Sequence, residues 1–469
     1  MRLSRRALLA ASAALPFASA ARAATTPVSI RLDPSRRLRA IPSNYMGLGY
    51  EASSVAMPGL LSADNHSYVQ LVRNLGADGV IRVGGNVSDF SRYDANGASK
   101  WEPKDTVLTL ANIRQLKTFL DATGWKLIWG LNLGGDHLDN AVEEARAVAG
   151  VMGDKLLALE IGNEPDLFSR AGHRSGTYDY QAWARDYRRY KAAIRAVLPR
   201  VQFAGPDIAT SSIDWMEGFA QGEGADIAML TAHHYINGQA NPATSIELML
   251  AEEKKYQPTL SKFQAAAEAA HVPWRMCETQ SFSGGGRAGV SDTFASALWA
   301  LDYLFVLAGY GCGGVNMETG VNHLGWISKY TPITDDLKGH YGPAPEYYGL
   351  LAFAHAAKGE QIAAAADTGG INLTAYATRQ AHAVIVTVIN KDMSRDASVE
   401  VIGITAKHAQ ATRLAAPSLT TMTDVTLGGA SLTAGGAWPG GKSVPVRVTG
   451  GKAMLDVPAG SAALVTLTV

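Results

Sequence analysis

Between Pro42 and about Gly359, short apolar runs alternate with longer segments of helical periodicity. Each apolar run ends in polar residues. Tyr45–Tyr50 leads into Glu51, and Val80–Val83 leads into Gly84-Gly85-Asn86. Leu127–Leu131 leads into Asn132, and Leu156–Leu159 leads into Glu160, Asn163 and Glu164. Val201–Ala204 precedes Asp207, and Met229–Ala232 precedes His233-His234-Tyr235. Trp274–Cys277 precedes Glu278, and Gly314–Met317 precedes Glu318. Runs of four to eight residues separated by amphipathic stretches such as Tyr178–Leu198, Thr259–Ala270, Thr293–Ala308 and Pro345–Ala357 are the pattern of βα units around a parallel sheet. Eight such units predict an α/β fold of the (β/α)₈ TIM-barrel type, whose functional groups stand at the carboxyl ends of the strands. The alternative, an open doubly wound sheet, normally carries a Gly-rich phosphate loop after its first strand, and no such loop follows Tyr50.

The texture changes after Gly359. Ile371–Thr378, Ala381–Ile389, Ala397–Ile404, Ala453–Val457 and Ala462–Val469 are short runs rich in Val, Thr and Ile, punctuated by Gly, Asp and Ser. They predict a C-terminal antiparallel β-sandwich. Val28–Leu32 has the same character and is expected to join that sandwich. The chain therefore divides into a leader at 1–23, an N-terminal strand region at 24–40, a barrel at 41–359 and a β-sandwich at 360–469. The leader has basic residues Arg2, Arg5 and Arg6, an apolar stretch from Ala7 to Ala20, and the small-residue pattern Ala21-Arg22-Ala23. That is the composition of an export signal peptide. Ser4-Arg5-Arg6 is similar to a twin-arginine signal, with an ordinary Sec signal as the alternative. The expected location is periplasmic or secreted, with no membrane attachment once the signal is removed, since no later apolar run reaches spanning length.

Composition narrows the partners. The chain of 469 residues is 47% hydrophobic and 18% charged, with 42 basic and 42 acidic side chains. It lacks the basic excess of a nucleic-acid binder. Two cysteines, Cys277 and Cys312, lie in or beside predicted barrel strands and read as small buried residues. They have no zinc-site spacing. No cofactor and no metal is expected.

The sharpest chemical signal is Glu160-Ile161-Gly162-Asn163-Glu164-Pro165 at the end of the fourth predicted strand. A carboxylic acid there and a carboxylate across the mouth would suit cleavage of a glycosidic bond. One group protonates the leaving oxygen, and the other attacks the anomeric carbon from about 5–5.5 Å away. Glu278, directly after the seventh apolar run, fits the second role, with Glu318 as its rival. Glu160 lies a turn earlier and reads as a support for Glu164. Tyr235 is placed to donate a hydrogen bond to Glu278, while His233 and His234 read as structural histidines of the barrel mouth.

Asn-Glu-Pro at this position resembles the signature of a clan of retaining glycosidases, clan A, in which the Glu is the acid/base and the Asn bonds the sugar 2-hydroxyl. In that clan the two carboxylates belong to strands four and seven, the positions of Glu164 and Glu278. More specifically, the chain resembles glycoside hydrolase family 79, the β-glucuronidases and heparanase-like enzymes. The matching stretches are Ile81–Asn86 with Asp89, Gly162–Pro165, His234-Tyr235, Gly284–Gly286, Gly289–Ser291, Ala297–Asp302, Tyr330–Ile333 and Pro345–Gly349. The resemblance implies Glu164 as acid/base, Glu278 as nucleophile, and a substrate-binding set of Glu51, Asn163, Tyr235, Gly285 and Tyr330. In it Gly285 offers a backbone N–H and Tyr330 a hydroxyl to a sugar carboxylate. Arg82, Asn86 and His234 would support. The chain departs from the family after the nucleophile, with Thr279-Gln280 for the usual Gly-Asn and Ser283 where a Tyr is frequent; Ser283 or Arg287 would then take that tyrosine's place. Met317-Glu318-Thr319 also differs from the usual end of strand eight. The expected substrate is a carbohydrate, cleaved by an exo-β-glucuronidase or 4-O-methyl-glucuronidase. The alternatives are a same-clan enzyme for a neutral sugar and a non-catalytic carbohydrate-binding protein.

Overall fold

The computed structural model describes residues 25–97, 106–209, 212–251, 254–320 and 326–469; the expected leader at 1–23 lies outside them. The eight apolar runs form eight parallel strands: Met46–Glu51, Val80–Gly84, Lys126–Leu131, Leu156–Ile161, Ala204–Ile208, Met229–Gly238, Trp274–Ser283 and Cys312–Glu318. Hydrogen bonding runs from the fourth strand through the third, second and first to the eighth, seventh, sixth and fifth. The Leu159–Phe203 bridge joins the fourth strand to the chain entering the fifth, so the sheet closes on itself. The backbone N–H groups of Leu159 and Glu164 add bonds to Gln202 O and Asp207 O, each 2.9 Å.

The fifth strand begins three residues later than the apolar pattern predicts. Pro206 lies within it, where the register against the sixth strand shifts between Pro206 and Ile208. Proline has no N–H for a ladder and is accommodated at such irregularities. The helices follow their sequence signals closely. Leu110–Thr123 opens on a capping box between Thr109 and Asn112 and ends at Gly124, whose φ is +86°. Tyr180–Val197 is capped by the Asp179 carboxylate. Such caps satisfy N–H groups that a helix start leaves without partners.

Inside the barrel, the usual layers of branched apolar residues give way to polar side chains. Arg82, Glu160, Asp207, His233, Arg275 and Asn316 are all buried there. Arg275 Nε donates to Asn316 Oδ1 at 2.6 Å. Cys277 and Cys312 are buried and not joined to each other.

The C-terminal strands form an antiparallel β domain that takes in the N-terminal strand. Thr26–Ile41 pairs antiparallel with Gly359–Asp367 and parallel with Ala397–Ile402. It bends at register shifts between Asp33 and Ala40. Through it, the layers of the sandwich connect as one eleven-stranded sheet around a core of Val28, Ile30, Val386, Val399, Val465 and their neighbours. The domain is fastened to helix Phe294–Gly309. There Asp302 accepts from Lys391 Nζ (2.6 Å), Tyr376 Oη (2.7 Å) and Thr374 Oγ1 (2.6 Å). Among the described residues no helix is long and apolar enough to cross a membrane.

Candidate active site

Two local devices turn carboxylates into the barrel mouth. At the end of the fourth strand, Gly162 takes φ +83° and Glu164 takes φ +47°, and Pro165 opens a short 3₁₀ turn. Proline disfavours the right-handed helical region for the residue before it, and Glu164 stands in the left-handed one. Asp207, at the end of the fifth strand, also has a positive φ of 59°. Non-glycine residues in this region carry strain of order 1–3 kcal/mol each and gather at functional sites. On the seventh strand, the register against the sixth shifts between Met276 and Glu278. Such a bulge re-aims the next side chain, here that of Glu278.

Glu164 and Glu278 face each other across the mouth, with carboxylate oxygens of the two and a ring nitrogen of His233 all within 4.8 Å of one another. Glu278 is held on both oxygens, accepting from Tyr235 Oη at 2.8 Å and from Arg82 Nη1 at 2.9 Å. Glu318, the rival on the eighth strand, has neither contact. Arg82 is wholly buried and also donates to Glu160 Oε2 (3.0 Å), Asn163 Oδ1 (3.0 Å) and Asp207 Oδ2. Burial alone would weaken its charge, but Asp207, Glu160 and Glu278 more than offset that and hold the guanidinium well above its ordinary pKa. His233 bridges the acids, with Nδ1 3.1 Å from Glu164 Oε1 and Nε2 2.8 Å from Asp207 Oδ1. Its burial opposes protonation, yet Asp207 and Glu278 raise its pKa well above the ordinary histidine value. Burial likewise opposes ionisation of Asp207, and the Arg82 and His233 charges override it, lowering the carboxyl below its usual range.

The cleft above this network has a volume of about 710 Å³, within the range of small-ligand sites. Glu51, Asn86, Glu164, His233, Tyr235, Glu278, Ser283, Gly285, Glu318, Trp326 and Tyr330 are among its walls.

Comparison with known proteins bears on this arrangement. The family model described as "Glycosyl hydrolase family 79 C-terminal beta domain" matches residues 370–464. A β-glucuronidase of Neurospora crassa is 26% identical over 378 residues, covering 70% of this chain and 66% of that one. A β-glucuronidase of Aspergillus niger is 26% identical over 332 residues, covering 62% of this chain and 60% of that one. The chain thus aligns with less than two thirds of either relative's length. The crystal structure of a 4-O-α-L-rhamnosyl-β-D-glucuronidase from Fusarium oxysporum superposes with a TM-score of 0.77 at 20% identity, covering 95% of this chain and 99% of that one. These likenesses support assignment to glycoside hydrolase family 79.

With that family in view, most of the residues expected from the resemblance meet at one place. Asn163 lies beneath the cleft, its amide nitrogen 3.3 Å from Asn86 Oδ1, its backbone N–H donating to Asp89 Oδ2 at 2.9 Å. Asp89 also accepts from the N–H groups of Leu133 and Gly134. It thereby ties the ends of the third and fourth strands together. Glu51 accepts from Val87 N at 2.8 Å, and burial, then the Glu278 charge, push its pKa up to about 8. Tyr330 stands beside Tyr235, ring centroids 6.1 Å apart. Gly285, at φ +92°, leaves room for the Trp326 ring, which a Cβ would overlap. Ser283 lies on the wall, its hydroxyl 3.5 Å from Asn237 O. His234 stacks on Tyr256 with centroids 3.6 Å apart.

Arg287 is the exception. Its guanidinium donates to the Asn241 and Thr244 carbonyls at 3.3 and 3.1 Å and is not part of the cleft wall. The positive φ of Gly284, Gly285 and Gly286 turns the chain before it reaches this residue, and the side chain ties two loops together. Asp207 and His233 are the reverse case, site residues to which the sequence pattern gave no chemical role. Their one local signal was position, polar residues just past an apolar run. Trp326, at 46% exposure, adds an aromatic face that no motif indicated. Two groups of potential metal ligands come together among the described residues, Glu160–Asp207–Cys277 and Glu164–His233–Glu278. In the second, both nitrogens of His233 and both oxygens of Glu278 are already engaged within the protein.

Proposed function

We propose that this chain hydrolyses β-glucuronides, including 4-O-methyl-glucuronides, from glycan ends or glucuronide conjugates, by a retaining double displacement. The observation that carries the mechanism is the separation of the two carboxylates, whose oxygens come within 4.8 Å. Retaining glycosidases hold their pair about 5–5.5 Å apart, whereas inverting enzymes need about 6.5–9.5 Å to admit a water. The uronic-acid substrate is supported by the two fungal β-glucuronidases and by the fold shared with the rhamnosyl-glucuronidase.

In the first step Glu278, ionised and aligned by Arg82 and Tyr235, attacks the anomeric carbon. The glycosidic C–O bond breaks as Glu164 gives its proton to the leaving oxygen. In the second step water gives a proton to Glu164, and its oxygen displaces Glu278 from the anomeric carbon. The Glu278 carboxylate and the Glu164 acid are thereby restored. His233 orients Glu164, and Asn163 meets the 2-hydroxyl. Residues 1–23 are read as an export signal, which would place this reaction in the periplasm or outside the cell.

A panel of aryl glycosides tests the substrate. We expect turnover of the β-glucuronide with the β-anomer of glucuronic acid formed first in the NMR spectrum. Exclusive activity on neutral glycosides would contradict the substrate assignment, and first-formed α-anomer would contradict the mechanism. Glu164→Gln should lower kcat roughly 10²- to 10⁴-fold, and Glu278→Gln should abolish turnover. Azide should yield a β-glycosyl azide with Glu164→Ala and an α-azide with Glu278→Ala.

A further inference from the structure

An anionic sugar entering this cleft meets a difficulty that the mechanism does not resolve. Four carboxyl groups, those of Glu51, Glu164, Glu278 and Glu318, line this cleft, and among the described residues that line it Arg170 is the only Lys or Arg. A uronate carboxylate settles there more readily if one of those acids holds its proton and presents it, adding a donor to those of Gly285 and Tyr330.

Glu318 meets that requirement by its surroundings. It ends the eighth strand at 3% exposure and lines the cleft. Neither of its carboxyl oxygens has a hydrogen-bond partner within the described residues. Leaving a buried polar group unmade is costly, and more so for a charged one, so such a carboxyl is built for a ligand. Gly49 of the first strand makes room for it, since a Cβ there would lie 2.5 Å from Glu318 Oε2. Glycine inside a strand often marks such a close approach. The pocket side of the carboxyl is shared with Tyr330 and Tyr235, for both of which Glu318 is a charged neighbour.

We propose that Glu318 is a substrate-binding and specificity-determining residue of the glycone site, its carboxyl O–H donating a hydrogen bond to the uronate carboxylate beside Tyr330. The inference rests on the uronide reading of the cleft and adds the group that admits the negative charge. Glu278 is stabilised as an anion by direct bonds from Arg82 and Tyr235, whereas Glu318 has no side-chain donor among the described residues, only the Gly320 backbone N–H nearby, and faces Glu278 and Glu51. The proton therefore stays with Glu318. Burial, then the Glu278 and Glu51 charges, hold its pKa well above the ordinary carboxylate value. A bond between a neutral acid and a carboxylate is charge-assisted and among the stronger hydrogen bonds available.

The test compares wild type, Glu318→Gln and Glu318→Ala on an aryl β-glucuronide and the matching β-glucoside, which has a CH₂OH group in place of the carboxylate. Glu318→Gln keeps an N–H donor without charge, so its kcat/KM on the glucuronide should stay within about threefold of wild type. Glu318→Ala removes the donor and should lose roughly 10- to 100-fold on the glucuronide, mostly in KM, with a loss under about threefold on the glucoside. Glu318→Leu, closer in volume, serves as the second donor-free variant, and thermal melting checks that each is folded. A glucuronide-to-glucoside ratio unchanged in the donor-free variants would overturn the proposal while leaving the function intact. So would Glu318→Gln as impaired as Glu318→Ala. A wild-type enzyme inactive on the glucuronide but active on neutral glycosides would overturn both.

Discussion

Arg82 is the residue on which the site's geometry converges. Its three nitrogens reach Glu160, Glu278, Asn163 and Asp207, which come from the fourth, seventh and fifth strands or the turns that follow them. Removing one partner of a buried ionic group typically costs about 3–5 kcal/mol, because the charges left behind stay desolvated. Arg82→Met should therefore lower the free energy of unfolding by about that amount, read from urea melts, and abolish turnover as Glu278 loses its alignment. A wild-type melting midpoint in this variant would mean the acids do not depend on the guanidinium. At this scale the sequence was a partial guide. Glu164, Glu278 and Tyr235 could be named because each follows an apolar run or sits in a local motif. Asp207 and His233 could not be given their roles, because their partnership with Arg82 and Glu164 exists only once distant strands close into a ring. Arg287 stands off the cleft wall for the complementary reason: a run of three glycines hides the direction in which the chain leaves them.

Elements were more legible than contacts. Strand and helix positions follow from hydrophobic periodicity, which burial enforces along the whole length of an element. The exceptions are local. The fifth strand starts three residues later than its apolar run and carries a register shift beside Pro206, and Gly359–Asp367 and His408–Ala415 of the β domain fell outside the predicted runs because alanine and polar residues dilute their alternation. Side-chain size also sets how elements approach. Helix Pro345–Ala356 lies against helix Phe294–Gly309 through Gly349, where a Cβ would overlap the Ala297 carbonyl. A packed interior tolerates added volume poorly, with typical costs of about 1–3 kcal/mol. Glycine in a helix is otherwise unfavourable by about 1 kcal/mol relative to alanine. Gly349→Ala should thus destabilise the protein despite the better helix former, by about 1–3 kcal/mol in chemical denaturation. A gain in stability would show that the helices have slack at this crossing.

For the molecule as a whole, the equal totals of 42 basic and 42 acidic residues conceal a shared dependence on pH. Burial raises Glu51 to about 8, Glu144 and Glu160 to about 7, and Asp89 and Asp166 to about 6. In each case the folded protein binds a proton more tightly than the unfolded chain. Stability contributed this way is complete below the unfolded carboxyl pKa and declines as pH rises through the folded value. His233, also raised, acts in the same sense, its contribution complete below the ordinary histidine pKa and lost as pH rises through the higher folded value. Asp207 acts oppositely: its folded pKa is depressed, so its contribution is present above the unfolded value and disappears only as pH falls through the lower folded one. The two trends meet on the acid side of neutral. Urea midpoints measured at fixed ionic strength should therefore be highest near about pH 5 and fall steadily towards pH 8. A midpoint at pH 8 equal to that at pH 5.5 would show that these acids are ionised in the fold at no cost. That would also remove the reason for a cleft lined by four carboxyl groups to accept an anionic sugar. The protons that stabilise the fold in mild acid and those that make the glycone site hospitable to a uronate have one physical cause, the desolvation of buried acids, several of which gather at the barrel mouth.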